Sequence, residues 1–385
     1  NLSILGFFKY YGFFADSFVD LMKAGGWHVS PWTLSVILPA GVSFYTFQSM
    51  SYTIDVYRGE TPAKSFLDFA LFVAFFPQLV AGPINRGKDL LPQFDQLKRL
   101  DTIDVKGALV TFWIGFVKKA VIADNIGMVV DQYFANPAEH TASAAWIAVL
   151  FYAVQIYCDF SGYTDMAIAS ARLFGFELVK NFDFPYFAPN VTAFWRRWHI
   201  SLSFWLRDYL YVPLGGNRHG RLRTYRNLIL TMLLGGLWHG AAWHFVAWGG
   251  LHGVALAVER ALGVRADTAA AGARNVLSRV AGTLATFYFV CVCWVLFRAE
   301  SFGQALEVLD SFVLLRSPGT ETLPAGLFGL FALLALLHLG ARLLSARPWW
   351  REVPRFGFAL SYGIAFALAV SADPLTMRPF IYFQF

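Results

Sequence analysis

The histidines of this sequence are the residues best suited to acid–base chemistry, and His239 has the most informative surroundings. It lies in the tryptophan-containing segment 236–245, with a glycine directly after it and two glycines shortly before it. Imidazole titrates near neutral pH, so it can take up and release a proton. The small neighbours leave room for a substrate to approach closely. We therefore interpret His239 as a catalytic residue, with a hydrogen bond between helices as the alternative.

The other histidines give weaker signals. His252 follows in a second glycine-rich run, but at roughly 100° per residue it lies about 220° around a helix from His239, so one straight helix would not bring the two together. His244 holds a less informative position in the same region, and His338 is predicted to pack within an aliphatic span. Three histidines in polar loops are predicted to be solvated: His28, His140 and His219.

A second segment, 194–209, combines tryptophan, arginine and histidine. His199 lies among aromatic residues, with Arg196 and Arg197 before it and Asp208 after it. This amphipathic pattern is typical of a segment that lies at a membrane interface or lines a cavity. An interfacial aromatic belt would account for the tryptophans and arginines, but less readily for the buried-looking sequence around His199.

A third segment places polar residues on one helix face. Gln155, Asp159 and Tyr163 recur at intervals of four residues, so they share a face. Asp159 and Asp165 lie inside an apolar stretch, where a carboxylate must face a cavity or pair with an arginine or histidine. A proton path and a structural ion pair both remain open, and for Asp165 the ion pair is at least as strongly favoured.

The composition defines the setting of these residues. The chain has 385 residues, of which 57% are hydrophobic and 15% charged, with a mean hydropathy of +0.50. Soluble globular proteins carry about 25% charged residues, so a soluble class is excluded. Aromatic residues make up 18% of the chain and no short repeat occurs, which excludes disorder, coiled coil and collagen. The sequence predicts an all-α polytopic membrane protein in contact with membrane lipids.

The cysteines and the net charge argue against a disulfide-bonded, a metal-binding and a nucleic-acid-binding protein. Cys158, Cys291 and Cys293 lie in apolar stretches, so we expect them to be buried and unpaired, with no metal site. The net charge of +6 is better explained by cytoplasmic loops than by nucleic acid, and no nucleic-acid partner is predicted.

Apolar stretches close to the roughly 20 residues of a membrane span cover most of the chain. They are 1–23, 34–56, 65–82, 105–127, 142–175, 228–259, 280–298, 325–341 and 356–371. Pro77 and Pro83 predict a break in 65–82. Lys118 and Lys119 lie in the middle of 105–127, which is therefore predicted to be re-entrant or interfacial.

The charges of the loops predict the orientation. Loops rich in arginine, near 218–226, 260–279 and 342–355, are placed in the cytoplasm, while 131–141 and 299–324 are placed outside. Basic loops flank 228–259 on both sides, so this glycine-rich segment is predicted to be a broken or hairpin element. Residues 1–385 are interpreted as one membrane domain that lacks N-terminal spans.

At this point the sequence resembles a known family, the membrane-bound O-acyltransferases, and within it the branch that acetylates bacterial polysaccharides. The stretches that carry the resemblance are 76–84, 155–165, 181–186, 195–217, 238–240, 294–299 and 379–385. The resemblance implies a fold of tilted and broken helices around a central cavity, in the bacterial inner membrane. It also implies transfer of an acetyl group from a cytoplasmic thioester towards an exopolysaccharide.

The resemblance assigns roles to individual residues. The invariant histidine of the family corresponds to His239, the expected general base, and a second family position, His or Asn, corresponds to His199, the expected orienting group. We expect substrate contacts from six further residues: Gln155, Asp159, Tyr163, Trp238, Arg196 and Arg197. No tightly bound cofactor or metal is expected, since acetyl-coenzyme A or an acyl carrier thioester serves as donor substrate. Periplasmic acetyltransferases or polysaccharide-modifying proteins are the expected partners.

Two alternatives stay open. One lies within the family, a D-alanyl transfer protein for teichoic acids that is fed by a carrier protein. The other is a proton-coupled transporter or flippase. Transporters often show two related halves with paired broken helices, whereas this sequence shows a single such element near 228–259.

Overall fold

The computed structural model describes residues 2–27, 29, 39, 41–264, 273–345, 348–373 and 380–381. Within these residues the only β pairing is an isolated bridge between His140 and Glu321, which confirms the predicted all-α class. The α-helices are Leu2–Leu5, Tyr11–Ala24, Val42–Tyr57, Phe66–Ala74, Phe76–Leu79, Gly87–Phe94, Val105–Phe116, Asp124–Ala135, Ala142–Leu173, Val191–Trp195, Ile200–Leu206, Arg221–His239, Trp243–Ala261, Ala273–Arg298, Phe302–Val313, Gly326–Leu344 and Arg355–Ser371. Segments of π-helix cover Gly6–Tyr10, Val117–Ala123 and Arg207–Tyr211.

Three helices in the described part of the chain are long and apolar enough to cross a membrane. They are Ala142–Leu173, Val276–Arg298 and Gly326–Leu344, and each falls on a stretch for which the sequence predicted a span. The helix Arg355–Ser371 is apolar but shorter. The protein is a multi-pass membrane protein.

The remaining predicted spans are divided into shorter elements. The helix in the stretch 65–82 breaks at Phe75, two residues before Pro77, as its prolines predicted. In the stretch 1–23 residues 2–23 are helical, with a π-helical segment among them. Residues 34–38 and 40 of the stretch 34–56 lie outside the described residues, and residues 42–56 belong to the helix Val42–Tyr57.

The 32-residue helix Ala142–Leu173 forms the centre of the core. It starts at Thr141, whose hydroxyl oxygen accepts from the backbone N–H of Ala144. At about 1.5 Å per residue it is roughly 48 Å long. Most of its length is buried against other helices rather than exposed. The side chains of this helix therefore face protein, and its polar residues need protein partners.

The stretch around Lys118 and Lys119 is helical from Val105 to Ala135, through the π-helical segment Val117–Ala123. Because the backbone does not turn back, the re-entrant alternative is wrong, whereas the interfacial one stays a prediction. The two lysines are tolerated because each is neutralised by carboxylates of the same core. Gly115 and Gly162 permit the close crossing, since a Cβ on either would lie 2.6 Å from the carbonyl oxygen of the other.

The predicted hairpin at 228–259 is confirmed. The helices Arg221–His239 and Trp243–Ala261 form an antiparallel pair joined by Gly240–Ala242. Glycines on the facing sides explain the close packing, because a Cβ on Gly236 would clash with the backbone of Phe245 and one on Gly249 with the backbone of Met232. The start of the first helix, at Arg221, and the end of the second, at Ala261, therefore lie at the same end of the pair.

The two loops that were predicted to lie outside also meet. The backbone N–H of Thr141 donates to the carbonyl of Glu321 at 2.8 Å, and that of Glu321 donates to Glu139 at 2.9 Å. This contact corrects the prediction for His140, which is only 3% exposed because the loop from 317 to 321 covers it. His219 is exposed as predicted, and His28 lies outside the described residues.

Candidate active site

His239 is the last residue of the first hairpin helix, Arg221–His239. The backbone becomes extended at Gly240, with φ −154° and ψ 144°, so the helix cannot continue. The His239 side chain is buried, with a residue exposure of 5%. Its ring centroid lies 5.0 Å from that of Trp238, 5.1 Å from Trp248 and 5.3 Å from Phe297. Indole and phenyl rings therefore surround this imidazole on several sides.

His199 is fully buried and lies next to His239. The two ring centroids are 6.4 Å apart. The centroid of Phe160 lies 4.7 Å from that of His199, with the two ring planes nearly perpendicular. The backbone of His199 is left-handed, with φ +43° and ψ 56°. A non-glycine residue in this region is uncommon and stores backbone strain, a condition often found at functional sites. The sequence thus brings two histidines from separate segments into one buried cluster.

Asn181 holds the strained backbone around His199. Its carbonyl accepts from the backbone N–H of Ile200 at 2.9 Å. Its side-chain oxygen accepts from the N–H of Ser201 at 3.2 Å and from the hydroxyl of the same serine at 2.9 Å. Because the residues directly after His199 are fixed in this way, the imidazole has a defined direction of approach to His239.

The segment 194–209 is not an interfacial belt as a whole. Its helix breaks at His199, between Val191–Trp195 and Ile200–Leu206. Trp195, Trp198 and Trp205 are all buried in the protein core, so they do not form a lipid-facing aromatic belt. The apolar side of this amphipathic pattern packs inward, towards the histidine cluster.

The glycines near His239 have a different role from the one predicted. The space beside Gly240 is filled by the ring of Phe245, and that beside Gly236 by the backbone of the same residue. These glycines allow the two hairpin helices to pack, and they do not open a space for a substrate. The physical reason is that two helices joined by a very short turn must approach backbone to backbone.

His252 is close to the cluster because the hairpin folds it back. Trp248 separates it from His239, with ring centroids 5.0 Å from His252 and 5.1 Å from His239. The indole N–H of Trp195 donates to His252 Nδ1 at 3.2 Å. His252 therefore supports the rings around the site and does not contact His239 directly.

Two further histidines make structural contacts. His244 Nδ1 lies 2.9 Å from the carbonyl oxygen of Leu296. His338 stacks on Phe187 at 5.2 Å with an interplanar angle of 9°, which confirms its predicted packing role.

Asp159 has partners on both carboxylate oxygens. Oδ1 is 2.6 Å from Lys119 Nζ, and Oδ2 accepts from the backbone N–H of Ile381 at 3.0 Å. Lys119 also contacts Asp124 at 2.7 Å. With an exposure of 3%, Asp159 is part of a buried ionic cluster. The sequence predicted an arginine or histidine as partner, and the structure corrects this to a lysine that approaches from the neighbouring helix run.

The residues that share a face with Asp159 are less enclosed. Gln155 and Tyr163 are half-buried, and Tyr163 stacks on Phe380 at 4.8 Å. Asp165 pairs with Lys118 at 2.7 Å, which agrees with the structural ion pair that the sequence favoured for it. The predicted substrate contacts of Gln155, Asp159 and Tyr163 stay predictions.

The other predicted contact residues divide into two groups. Trp238 belongs to the cluster, since its ring lies 6.2 Å from His199 and 5.0 Å from Phe47. Arg196 is exposed and Arg197 is half-buried, although His199 follows them closely in sequence and is fully buried. The two arginines are therefore more exposed to the surface than the enclosed histidine pair.

Gln48 is a polar residue of this region that the sequence analysis missed. It is fully buried in the helix Val42–Tyr57, one turn from Phe44, whose ring lies 6.4 Å from His199. Among the described residues its amide has no hydrogen-bond partner. Buried polar groups nearly always have a partner, so such an amide indicates a position for water or a ligand. A lone glutamine inside a predicted span was the signal that could have found it.

A charged cavity of about 540 Å³ lies on another side of the same elements. Its cations are Arg58, Arg86 and Lys88, and its lining also holds three carboxylates, Asp55, Glu60 and Asp208, with Tyr209 beside them, so the charges balance. Arg86 Nη2 is 2.6 Å from Asp208 Oδ2. Burial alone would raise the pKa of Asp208, but hydrogen bonds from Arg207 and Arg86 outweigh burial and lower the pKa. This carboxylate therefore stays ionised. Its surroundings are charged, whereas those of the histidines are aromatic.

Stacked rings connect this cavity to the histidine pair. Tyr209 contacts Trp205 at 5.2 Å, Trp205 stacks on Phe47 at 3.7 Å, and Phe47 stacks on Trp238 at 5.0 Å. Trp238 directly precedes His239. No group of three or more metal-ligating side chains occurs in the described part of the chain.

Comparison with known proteins gives a consistent result. The membrane-bound O-acyltransferase family matches residues 62–297. A probable alginate O-acetylase of Pseudomonas aeruginosa is 46% identical over 98% of this chain and 72% of its own length. A peptidoglycan O-acetyltransferase of Helicobacter pylori is 42% identical over 81% of this chain and 63% of its own length.

A teichoic acid D-alanyltransferase of Streptococcus thermophilus is more distant, at 29% identity over 60% of this chain and 58% of its own length. Each of these relatives is named for the transfer of an acyl group, which argues against the transporter alternative. The family match covers more than half of the chain and includes both His199 and His239. The protein belongs to the membrane-bound O-acyltransferase family and is an acyltransferase.

Proposed function

We propose that the protein transfers an acetyl group from a thioester donor on the cytoplasmic side of the bacterial inner membrane, for O-acetylation of an exopolysaccharide such as alginate. The observation that carries the proposal is the buried pair of His199 and His239, whose rings lie 6.4 Å apart. The similarity to the alginate O-acetylase of Pseudomonas aeruginosa supports the choice of acyl group and polymer.

His239 is the general base in this proposal. It takes the proton of the acceptor hydroxyl as the hydroxyl oxygen attacks the thioester carbonyl carbon. The tetrahedral intermediate then collapses, the carbon–sulfur bond breaks, and the imidazolium returns its proton to the departing thiolate. The products are an acetyl ester and a free thiol, and His239 ends in its initial neutral form. Such proton transfer contributes about 10²–10⁴ in rate.

His199 orients the acceptor. Its ring centroid lies 6.4 Å from that of His239, so the two imidazoles are close neighbours in the buried cluster. An acceptor hydroxyl between the rings could therefore contact both imidazoles. The aromatic enclosure keeps water away, which protects the thioester from hydrolysis.

The donor is acetyl-coenzyme A or an acyl carrier thioester, and both carry anionic phosphate. The ring contacts from Tyr209 to Trp238 lead from the charged cavity towards His239, and they support an approach of such a donor from that side. A periplasmic acetyltransferase or another polysaccharide-modifying protein is the proposed partner on the far side.

The test uses the full-length protein in a host that lacks its own polysaccharide acetylase. We expect His239→Ala to lower the acetyl content of the polymer about 10²–10⁴-fold at equal membrane protein level. The matched control is His219→Ala, because His219 is exposed in a loop and has no part in the site. Near-normal acetylation by His239→Ala would remove this residue from the role of base.

A further inference from the structure

The N-terminal part of the chain approaches the end of the helix that carries His239. Residues Gly6–Tyr10 form a π-helical segment between Leu2–Leu5 and Tyr11–Ala24. Short π-helical insertions change the direction of side chains and are frequent at functional sites. Here the segment presents two consecutive polar side chains, Lys9 and Tyr10, to the first hairpin helix.

The helix end needs hydrogen-bond donors from elsewhere. The last four carbonyl groups of an α-helix have no N–H partner within the helix. The helix Arg221–His239 stops at an extended glycine, so it gains no continuing turn. In a buried, apolar position these carbonyls would be costly without a donor.

Lys9 and Tyr10 supply the donors to three successive carbonyls. The Tyr10 hydroxyl donates to Leu237 O at 3.1 Å. Lys9 Nζ donates to Trp238 O at 2.7 Å and to His239 O at 3.1 Å. A cation at a helix C-terminus also interacts favourably with the helix dipole.

Lys9 also connects the helix end to a third element. Its Nζ donates to Ser43 Oγ at 3.3 Å, at the start of the helix Val42–Tyr57. The next residue, Phe44, contacts both Trp238 at 5.4 Å and His199 at 6.4 Å. An ammonium group has three N–H donors, and these three acceptors match them. One side chain thus ties the helix that ends at His239 to the helix whose Phe44 ring contacts His199.

We propose that Lys9 is a positioning residue for His239 in the acyl transfer, an inference that rests on the proposed function. Lys9 contacts the backbone of the base, so it fixes where the helix ends and from which point the imidazole projects. Without the ammonium group the last turn frays and the imidazole loses its alignment with His199. A misplacement of about 1 Å can cost about 10²-fold in rate.

The experiment compares variants of the purified full-length protein in lipid nanodiscs, with acetyl-coenzyme A as donor and alginate oligosaccharides as acceptor. Release of free thiol gives kcat and KM for the donor, and thermal unfolding gives the folded fraction. Lys9→Met removes the donors and keeps the length of the side chain, whereas Lys9→Arg keeps a cation with several donors. The matched control is Lys23→Met, because Lys23 is exposed in the following helix and only reaches Asp20 at 4.0 Å.

We expect Lys9→Met to lower kcat per folded molecule by about 10–100-fold with an unchanged KM, because Lys9 aligns the base and touches no donor. Lys9→Arg should recover most of kcat, and Lys23→Met should match the wild type. If Lys9→Met does not fold, Lys9→Gln takes its place, since its neutral amide still donates to one carbonyl, and a lowered kcat is again expected.

Two results would overturn the positioning role. One is a normal kcat per folded molecule in the Lys9 variants, which would leave Lys9 with a purely structural contact. The other is a raised KM with unchanged kcat, which would make it a donor-binding residue. In both cases His239→Ala must be inactive, since full turnover by His239→Ala would overturn the proposed function itself.

Discussion

The histidine pair and the lysine–aspartate cluster are two polar regions inside the same apolar core, and they are built in opposite ways. Lys118, Lys119, Asp159 and Asp165 lie at ion-pair distances of 2.6–2.7 Å, so each charge is neutralised by a neighbour. The histidines His199 and His239 are instead enclosed by aromatic rings. From this difference we expect the paired carboxylates to act mainly in stability and the two imidazoles to act in the reaction.

The largest expected effect tests the ionic side of this comparison. Asp159→Asn removes a buried charge that lies 2.6 Å from Lys119 Nζ, so we expect a loss of about 3 kcal/mol in the free energy of unfolding. The acetyl transfer rate per folded molecule should stay close to that of the wild type. Denaturant unfolding in detergent and an activity assay on the same sample measure the two quantities.

The control for Asp159 is Asp16→Asn, since Asp16 is exposed near the start of the chain and should show little change in either quantity. A variant of Asp159 that stays folded but loses transfer would reverse the comparison. Asp159 would then be the substrate contact that its shared face with Gln155 and Tyr163 predicted.

A smaller effect tests the aromatic side. His199→Asn keeps a hydrogen-bonding side chain but cannot exchange a proton, so we expect a loss of about tenfold in transfer rate, or about 1.4 kcal/mol. Asparagine also tolerates the left-handed backbone of this position, which isolates the effect of the imidazole. The readout is polymer acetylation at equal protein level.

His252→Ala serves as the comparison for His199→Asn, because Trp248 separates His252 from the base. It should have the weaker effect on transfer. A stronger effect of His252→Ala would mean that the reacting hydroxyl lies on the Trp248 side of His239.

The smallest expected effect concerns the more exposed ion pair of the lysine–aspartate cluster. The pair of Lys118 and Asp165 is half-buried, so Lys118→Met should cost only about 1 kcal/mol of stability. The double variant with Asp165→Leu should recover most of that loss, because no carboxylate is then left unpaired. Unfolding of both single variants and the double variant gives the coupling directly. No recovery in the double variant would show that the two residues act through separate contacts.

Local sequence patterns predicted much of the fold. The helical class, the three long spans and the break before Pro77 follow from apolar length and proline positions, and the hairpin at 228–259 follows from its glycines and from the basic loops on both sides of it. Each of these features depends on residues that are close together in the sequence, so one sequence is enough to predict it. The burial of Cys158, Cys291 and Cys293 follows for the same reason.

Features that depend on distant contacts were not predictable. The lysine partners of the aspartates come from another helix run, and His140 is buried only because residues near Glu321 cover its loop. The glycines beside His239 pack against Phe245, which no local pattern reveals. Sequence reasoning selected both histidines, yet their contact depends on the break at His199 and the end of a helix at His239.

The hydrogen bond between Asp159 and Ile381 has a consequence for biosynthesis. The two residues are 222 positions apart, so the ribosome adds Ile381 long after Asp159. Folding begins with the N-terminal parts of a chain, so the central helix is made while one oxygen of this carboxylate still lacks its N–H donor. Water or the insertion machinery must satisfy that oxygen in the meantime. Ile381 is therefore made long after the central helix, and its backbone N–H completes the hydrogen bonds of a carboxylate buried on that helix.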